Sequence, residues 1–137
     1  MIRLTLGGPP AVRREPNIRQ NRPYPHAHTK LGMASWRLAW QAAGAERIEG
    51  PVAVSVRVVC RRPPSHFGVD GQKLNATGRR APVPTGVDLD NVVKLVLDAL
   101  KTRAFADDRQ VAALDAEKRW AGPHENDATS VYIWAAT

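Results

Sequence analysis

Apolar and polar positions alternate with period two at the start of the chain. Ile2, Leu4 and Leu6 are separated by Arg3 and Thr5, which predicts a short strand with one buried face. Between Thr29 and Ala43 the spacing changes to three and four. Met33, Trp36, Trp40 and Ala43 then share one face of a helix, with Thr29 placed to cap it and Gly44 to stop it. Period two returns after Pro51. Val52, Val54, Val56, Val58 and Cys60 point one way; Ala53, Ser55, Arg57 and Val59 point the other. From Leu89 to Lys101 the pattern is helical again but apolar around most of its girth. Only Asp90, Asn91, Lys94, Asp98 and Lys101 form a polar stripe, so this helix is expected to be buried on most sides. Gln110–Trp120 reads as a strand with Ala112, Leu114, Ala116, Lys118 and Trp120 on one side. Thr129–Ala136 reads as a closing strand, Val131 and Ile133 opposing Tyr132 and Trp134.

Two stretches break the pattern. Residues 7–28 hold five prolines and four arginines, and residues 61–87 hold four prolines and four glycines. Both are expected to be irregular basic loops. The order strand–helix–strand–loop–helix–strand–strand points to an α/β (α+β) fold. A small mixed sheet of about four strands carries two helices on one face, and the last two strands are expected to form a hairpin. With 137 residues the chain is expected to be one domain. The apolar girth of the 89–101 helix exceeds what one small sheet covers, and this suggests a homodimer.

Charge narrows the function. The chain carries +7 overall. Residues 1–87 hold 14 Lys/Arg against four acids, whereas residues 88–137 hold six against nine. A basic first part calls for a polyanion such as nucleic acid. No apolar run is long enough to span a membrane. The single cysteine, Cys60, excludes an internal disulfide framework and suits a reducing, cytoplasmic setting, and no Cys/His spacing suggests zinc.

Against that charge stands an acidic island. Five of the 13 acids fall within Asp88–Asp108: Asp88, Asp90, Asp98, Asp107 and Asp108. Asp88 is placed at the helix N-cap, where non-helical dihedrals let its carboxylate lean over the first turn towards Asp90. Asp107-Asp108 precedes the next strand. Carboxylates from a helix start and a strand start can converge on a hard divalent cation such as Mg²⁺. The plainer alternative is a capping Asp88, helix ion pairs among Asp90, Lys94 and Asp98, and a turn at Asp107-Asp108. Spacing alone leaves both readings open.

The ordered set Asp88-Leu89-Asp90-Asn91-x-x-Lys94, Asp98-Ala99-Leu100, Asp107-Asp108-x-Gln110-Val111 and Glu117-Lys118-Arg119 resembles the RusA family of Holliday junction resolvases. Arg61-Arg62-Pro63-Pro64-Ser65-His66-Phe67-Gly68 resembles a segment of its phage-type members. The resemblance implies a homodimeric, Mg²⁺-dependent endonuclease that resolves four-way DNA junctions by paired symmetric nicks. Asp88, Asp90 and Asp108 match the family's catalytic, metal-binding carboxylates, and Lys94 matches its catalytic lysine. Asp107 is expected to set the turn, and Asp98 to pair with Lys94 or to pack. Beside the acids, Arg61, Arg62, Lys73, Arg79 and Arg80 are candidate DNA-backbone contacts. The rival readings are a branched-DNA-binding protein without cleavage, a metal-dependent nuclease of broader specificity, and a protein whose acids are only structural.

Overall fold

The strand Val52–Cys60 is buried along nearly its whole length, on both faces, and so takes a central place in a sheet. The computed structural model describes residues 1–14, 17–19, 22–24 and 27–136. In chain order these form β1 (Ile2–Gly7), β2 (Asn17–Arg19), β3 (Arg22–Tyr24), α1 (Ala27–Ala43), β4 (Val52–Cys60), α2 (Ala76–Arg79), α3 (Leu89–Leu100), β5 (Val111–Trp120) and β6 (Ala128–Ala135). Single 3₁₀ turns occupy Pro64–His66 and Asp108–Gln110. The main sheet is mixed, in the order β1-β6-β4-β5, and β2 and β3 make a separate ribbon.

The last two strands are not the expected hairpin. β5 pairs parallel with β4, and β6 pairs antiparallel with β4 on its other side and with β1. Because β4 needs cover on both edges as well as both faces, the connection from β5 to β6 steps over it. β5 is left as an edge strand, with Ala112, Ala113 and Leu114 exposed.

One face of the sheet meets the helices. Val54, Val56, Val131 and Ile133 pack there against Val92, Leu95, Val96, Ala99 and Leu100 of α3 and Trp36 and Trp40 of α1, all in one apolar cluster. Met33 is half-buried against it, whereas Ala43 is exposed at the helix end. Gly32 lets α1 approach closely: a Cβ there would sit 2.7 Å from the Ala11 Cβ and 3.0 Å from Leu95. The girth of α3 is therefore covered within the chain, by the sheet, by α1 and by residues 11–14, where Arg13 N–H donates to the Asn91 carbonyl at 3.1 Å. An uncovered α3 gives no argument for a dimer.

Three local expectations also change. Residues 7–28 are not wholly irregular: Asn17–Arg19 and Arg22–Tyr24 pair antiparallel, and the helix begins at Ala27. His26, which a basic loop here could set against phosphate, lies outside the described residues. Thr29 does not cap α1 but is buried in its first turn, where its Oγ1 accepts the Arg14 N–H at 2.9 Å. Gly44 ends the helix as expected, at φ +63°. Residues 61–87 fold back on themselves. Asn75 caps α2, accepting the Gly78 N–H at 2.9 Å, and its amide donates to the Ser65 and Phe67 carbonyls.

Candidate active site

The residues before α3 reach their position through β5. Lys118 occupies the charged place in the otherwise apolar row of Ala112, Leu114, Ala116 and Trp120. Its Nζ donates to the Val87 carbonyl at 2.8 Å, and two residues further on the Trp120 Nε1 donates to the Ala81 carbonyl at 2.7 Å. The far end of β5 thus anchors the segment that delivers Asp88. A lysine interrupting an apolar register was visible in the sequence, but the carbonyl it seeks was not.

Asp88 stands at the N-cap with extended dihedrals, φ −89° and ψ 101°, yet its carboxylate makes no capping hydrogen bond. It accepts instead from the Asn91 amide at 3.0 Å. The structural role that sequence offered Asp88 is therefore unfilled, and its carboxylate faces Asp90. The two carboxyls lie within hydrogen-bonding reach of each other. The bond to Asp90 pushes the Asp88 carboxyl above its ordinary range, with partial desolvation and the Asp90 charge adding to it; Lys118 and Lys94 act the other way. The same bond, then Lys94, holds Asp90 below the ordinary range. Two carboxyls set this close disfavour double ionisation, which marks a place where positive charge is favoured. Lys94 Nζ sits 3.2 Å from Asp90, one helical turn on, and both are largely exposed.

The remaining acids are placed elsewhere. Asp98 pairs with Arg13 at 3.5 Å rather than with Lys94. Asp107 sets the turn before β5 in a capping box: it accepts the Arg109 N–H, while the Gln110 side chain accepts from Ala106 and Asp107. Asp108 follows in that turn, exposed, at the start of β5. Lys118, which marks the Asp88 end, lies seven residues beyond Val111, so the two ends are separated by roughly 20 Å at about 3.3 Å per residue. One chain brings Asp88, Asp90 and Lys94 together and leaves Asp108 at the opposite end of the strand. Among the described residues no group of three His, Cys, Asp or Glu side chains could hold a metal ion. Asp88 and Asp90 supply oxygen donors of the type a hard cation takes.

Glu117 and Asp115 belong to the open face of the sheet. Arg57 pairs with Asp115 at 2.6 Å and with Glu117 at 3.6 Å, and Ser55 donates to Asp115 at 2.8 Å. Of the candidate DNA contacts, Arg62 is committed internally. Its Nη1 donates to the Gly78 and Ala81 carbonyls at 2.9 and 3.1 Å, and its guanidinium lies 4.9 Å over the Trp120 ring. Arg79 donates to the Leu74 carbonyl at 2.7 Å while staying exposed. Arg61, Lys73 and Arg80 are exposed on the same excursion. Among the described residues no helix is long and apolar enough to cross a membrane.

A family model described as endodeoxyribonuclease RusA matches residues 8–126, most of the chain and all of the site residues above. Comparison with curated proteins returns no match.

Proposed function

The chain belongs to the RusA family of endodeoxyribonucleases, enzymes that resolve Holliday junctions, and on that footing we propose that it acts with Mg²⁺, as a homodimer, in the cytoplasm. Asp88, Asp90 and Asp108 are the cation ligands, and Lys94 is the residue that meets charge developing on the phosphate. The observation that carries this reading is the Asp88–Asp90 pair, whose carboxyls are held within hydrogen-bonding reach with Asp88 free of its capping role. Asp88, Asp90 and Asp108 would hold a divalent cation, which would supply Lewis-acid polarisation of the scissile phosphate and activation of the attacking water.

The chain's own residues do the rest. Asn91 holds Asp88 in its orientation. Lys118 fixes the backbone at Val87 and with it the direction from which Asp88 enters. Lys94, tied to Asp90, stands ready to stabilise negative charge on the non-bridging or leaving oxygen. Exposed Arg61, Lys73, Arg79 and Arg80 supply charge to phosphates beside the acids.

The separation of Asp108 from Asp88 supports a dimer. β5 is an unpaired edge strand with Ala112, Ala113 and Leu114 exposed. Two copies pairing antiparallel along it about a two-fold axis would set the Asp108 end of one against the Asp88 end of the other. That arrangement completes two sites at once, as paired nicks require.

The test is cleavage of a synthetic four-way junction against linear duplex, in Mg²⁺ and in EDTA, with the natural chain and Asp90→Asn. Paired nicks in the junction, made only by the natural chain with Mg²⁺, are expected, with Asp90→Asn still binding. If both proteins bind the junction equally and neither cuts it, the carboxylates are architecture and the catalytic assignment fails.

A further inference from the structure

Beyond the end of β5 that anchors Asp88, the chain encloses a groove of about 860 Å³. It lies between the first part of the 61–87 excursion and the connection that leads into β6. Arg61 and Lys73, both exposed, stand on one wall, and His124 stands on the other. Phe67 and Leu74 are joined by a β-bridge, and both are half-buried, so they give the groove an apolar floor.

Two features fix this shape without any ligand. Asp70 Oδ1 accepts the Gln72 and Lys73 N–H groups at 3.0 and 3.2 Å, and Gly71 takes φ +69°, so the tip carrying Lys73 is a formed turn. On the other wall Glu125, the acid that lines the groove, is held by both Arg119 guanidinium nitrogens and by the Gly122 N–H at 3.0 Å. Those bonds draw its carboxyl down to about 2. Its charge is met on the protein side, and the cations across the groove are left to face outwards.

A cationic wall, an apolar aromatic floor and a volume in the small-molecule range do not suit a double helix. They suit a nucleotide with its base exposed: phosphate to Arg and Lys, base to the ring. We propose that this groove receives an unpaired DNA segment of about one or two nucleotides at the branch point, with the base against Phe67 and the phosphate between Lys73, Arg61 and His124. The identity of that DNA as a junction arm rests on the resolvase reading; the groove's preference for unpaired strand does not. The groove lies at the Asp88 end of β5, roughly 10 Å past Lys118 along the strand direction. A strand drawn into it is held open beside the carboxylates.

The experiment is fluorescence anisotropy of the full chain in EDTA, where no cutting complicates binding. The probes are a labelled short oligothymidylate, a linear duplex of matched length and a four-way junction. The chains are the natural protein, Lys73→Gln with His124→Gln, Phe67→Leu, and Arg3→Gln on the remote face as control. The double variant is expected to lose about tenfold in oligothymidylate affinity, with a salt slope smaller by about one, while duplex binding falls by a clearly smaller factor. Phe67→Leu is expected to weaken oligothymidylate with the salt slope unchanged, since stacking releases no counterions. Equal losses on duplex and oligothymidylate, or no loss for either variant with native circular dichroism, overturn the proposal. Junction cleavage in Mg²⁺ is scored separately. A natural chain that binds oligothymidylate through the groove but never cuts the junction defeats the resolvase reading alone.

Discussion

Asp88 shows how much one side chain's partner decides. Its sequence position is that of a capping residue, yet Asn91 donates to the carboxylate and Asp90 beside it pushes the carboxyl above its ordinary range. Lys94 touches Asp90 from an exposed position, and exposed pairs add little to stability. Lys94→Met is therefore expected to leave the thermal midpoint nearly unchanged while lowering junction cleavage by about 10²–10³-fold, the usual loss when one charge-stabilising donor is removed. A parallel fall in midpoint and activity would make the lysine structural. Glu125 gives a pH prediction of defined sign. Its folded carboxyl is depressed from 4.5 to about 2, chiefly by Arg119. The stability it contributes is present above pH 4.5 and drains away as pH falls towards about 2. Glu125→Gln should lower stability at neutral pH, where the natural chain has the pair's full contribution, and so flatten that limb of the acid denaturation curve. An unchanged acid limb would show the pair to be without effect in solution.

At the scale of elements, the excursion 61–87 is the part that pattern reading served least. Pro, Gly and paired arginines announce a loop, and nothing in period or composition tells that Arg62 turns inward to Gly78, Ala81 and the Trp120 ring. A guanidinium satisfies two carbonyls and a π-face at once, and such partners come from distant positions in the chain. Gly78 is buried at the crossing: a Cβ there would overlap the His66 carbonyl oxygen, and its neighbours are backbone and packed side chain that cannot easily yield. Gly78→Ala is expected to destabilise the protein by about 1–3 kcal/mol. It should also speed proteolytic nicking within 61–87, measured by limited digestion under native conditions. Protection equal to the natural chain would mean the excursion is not held there. The helices were legible because their burial follows their own periodicity. Trp36, Trp40 and the apolar girth of α3 sit where the spacing put them. Strand adjacency was not, because β5 and β6 each compete for the edges of β4, and that contest is settled by pairing rather than by the connection's length.

At the scale of the molecule, the three matched aspartates are divided between the two ends of β5, and the dimer proposed through that edge would reunite them. Leu114→Lys with Ala113→Asp places charge on the exposed edge without touching the core. Light scattering is expected to show a dimer for the natural chain and a monomer for the double variant, and cleavage should fall with it while the fold, read by circular dichroism, persists. A dimeric double variant with full activity would remove β5 from the interface. The sequence by itself determined the four strands of the main sheet and the two long helices, the apolar faces of those helices, the basic and acidic halves, and the ordered set of acids and lysine that marks the family. These follow from period, composition and local spacing, all read within a few residues. Only the tertiary structure decided that β4 lies between β5 and β6, that the apolar girth of α3 is covered within one chain, and that Asp108 lies a strand's length from Asp88. Those outcomes depend on long-range competition for edges, carbonyls and counter-charges, and the partners in that competition become neighbours only when the chain has folded.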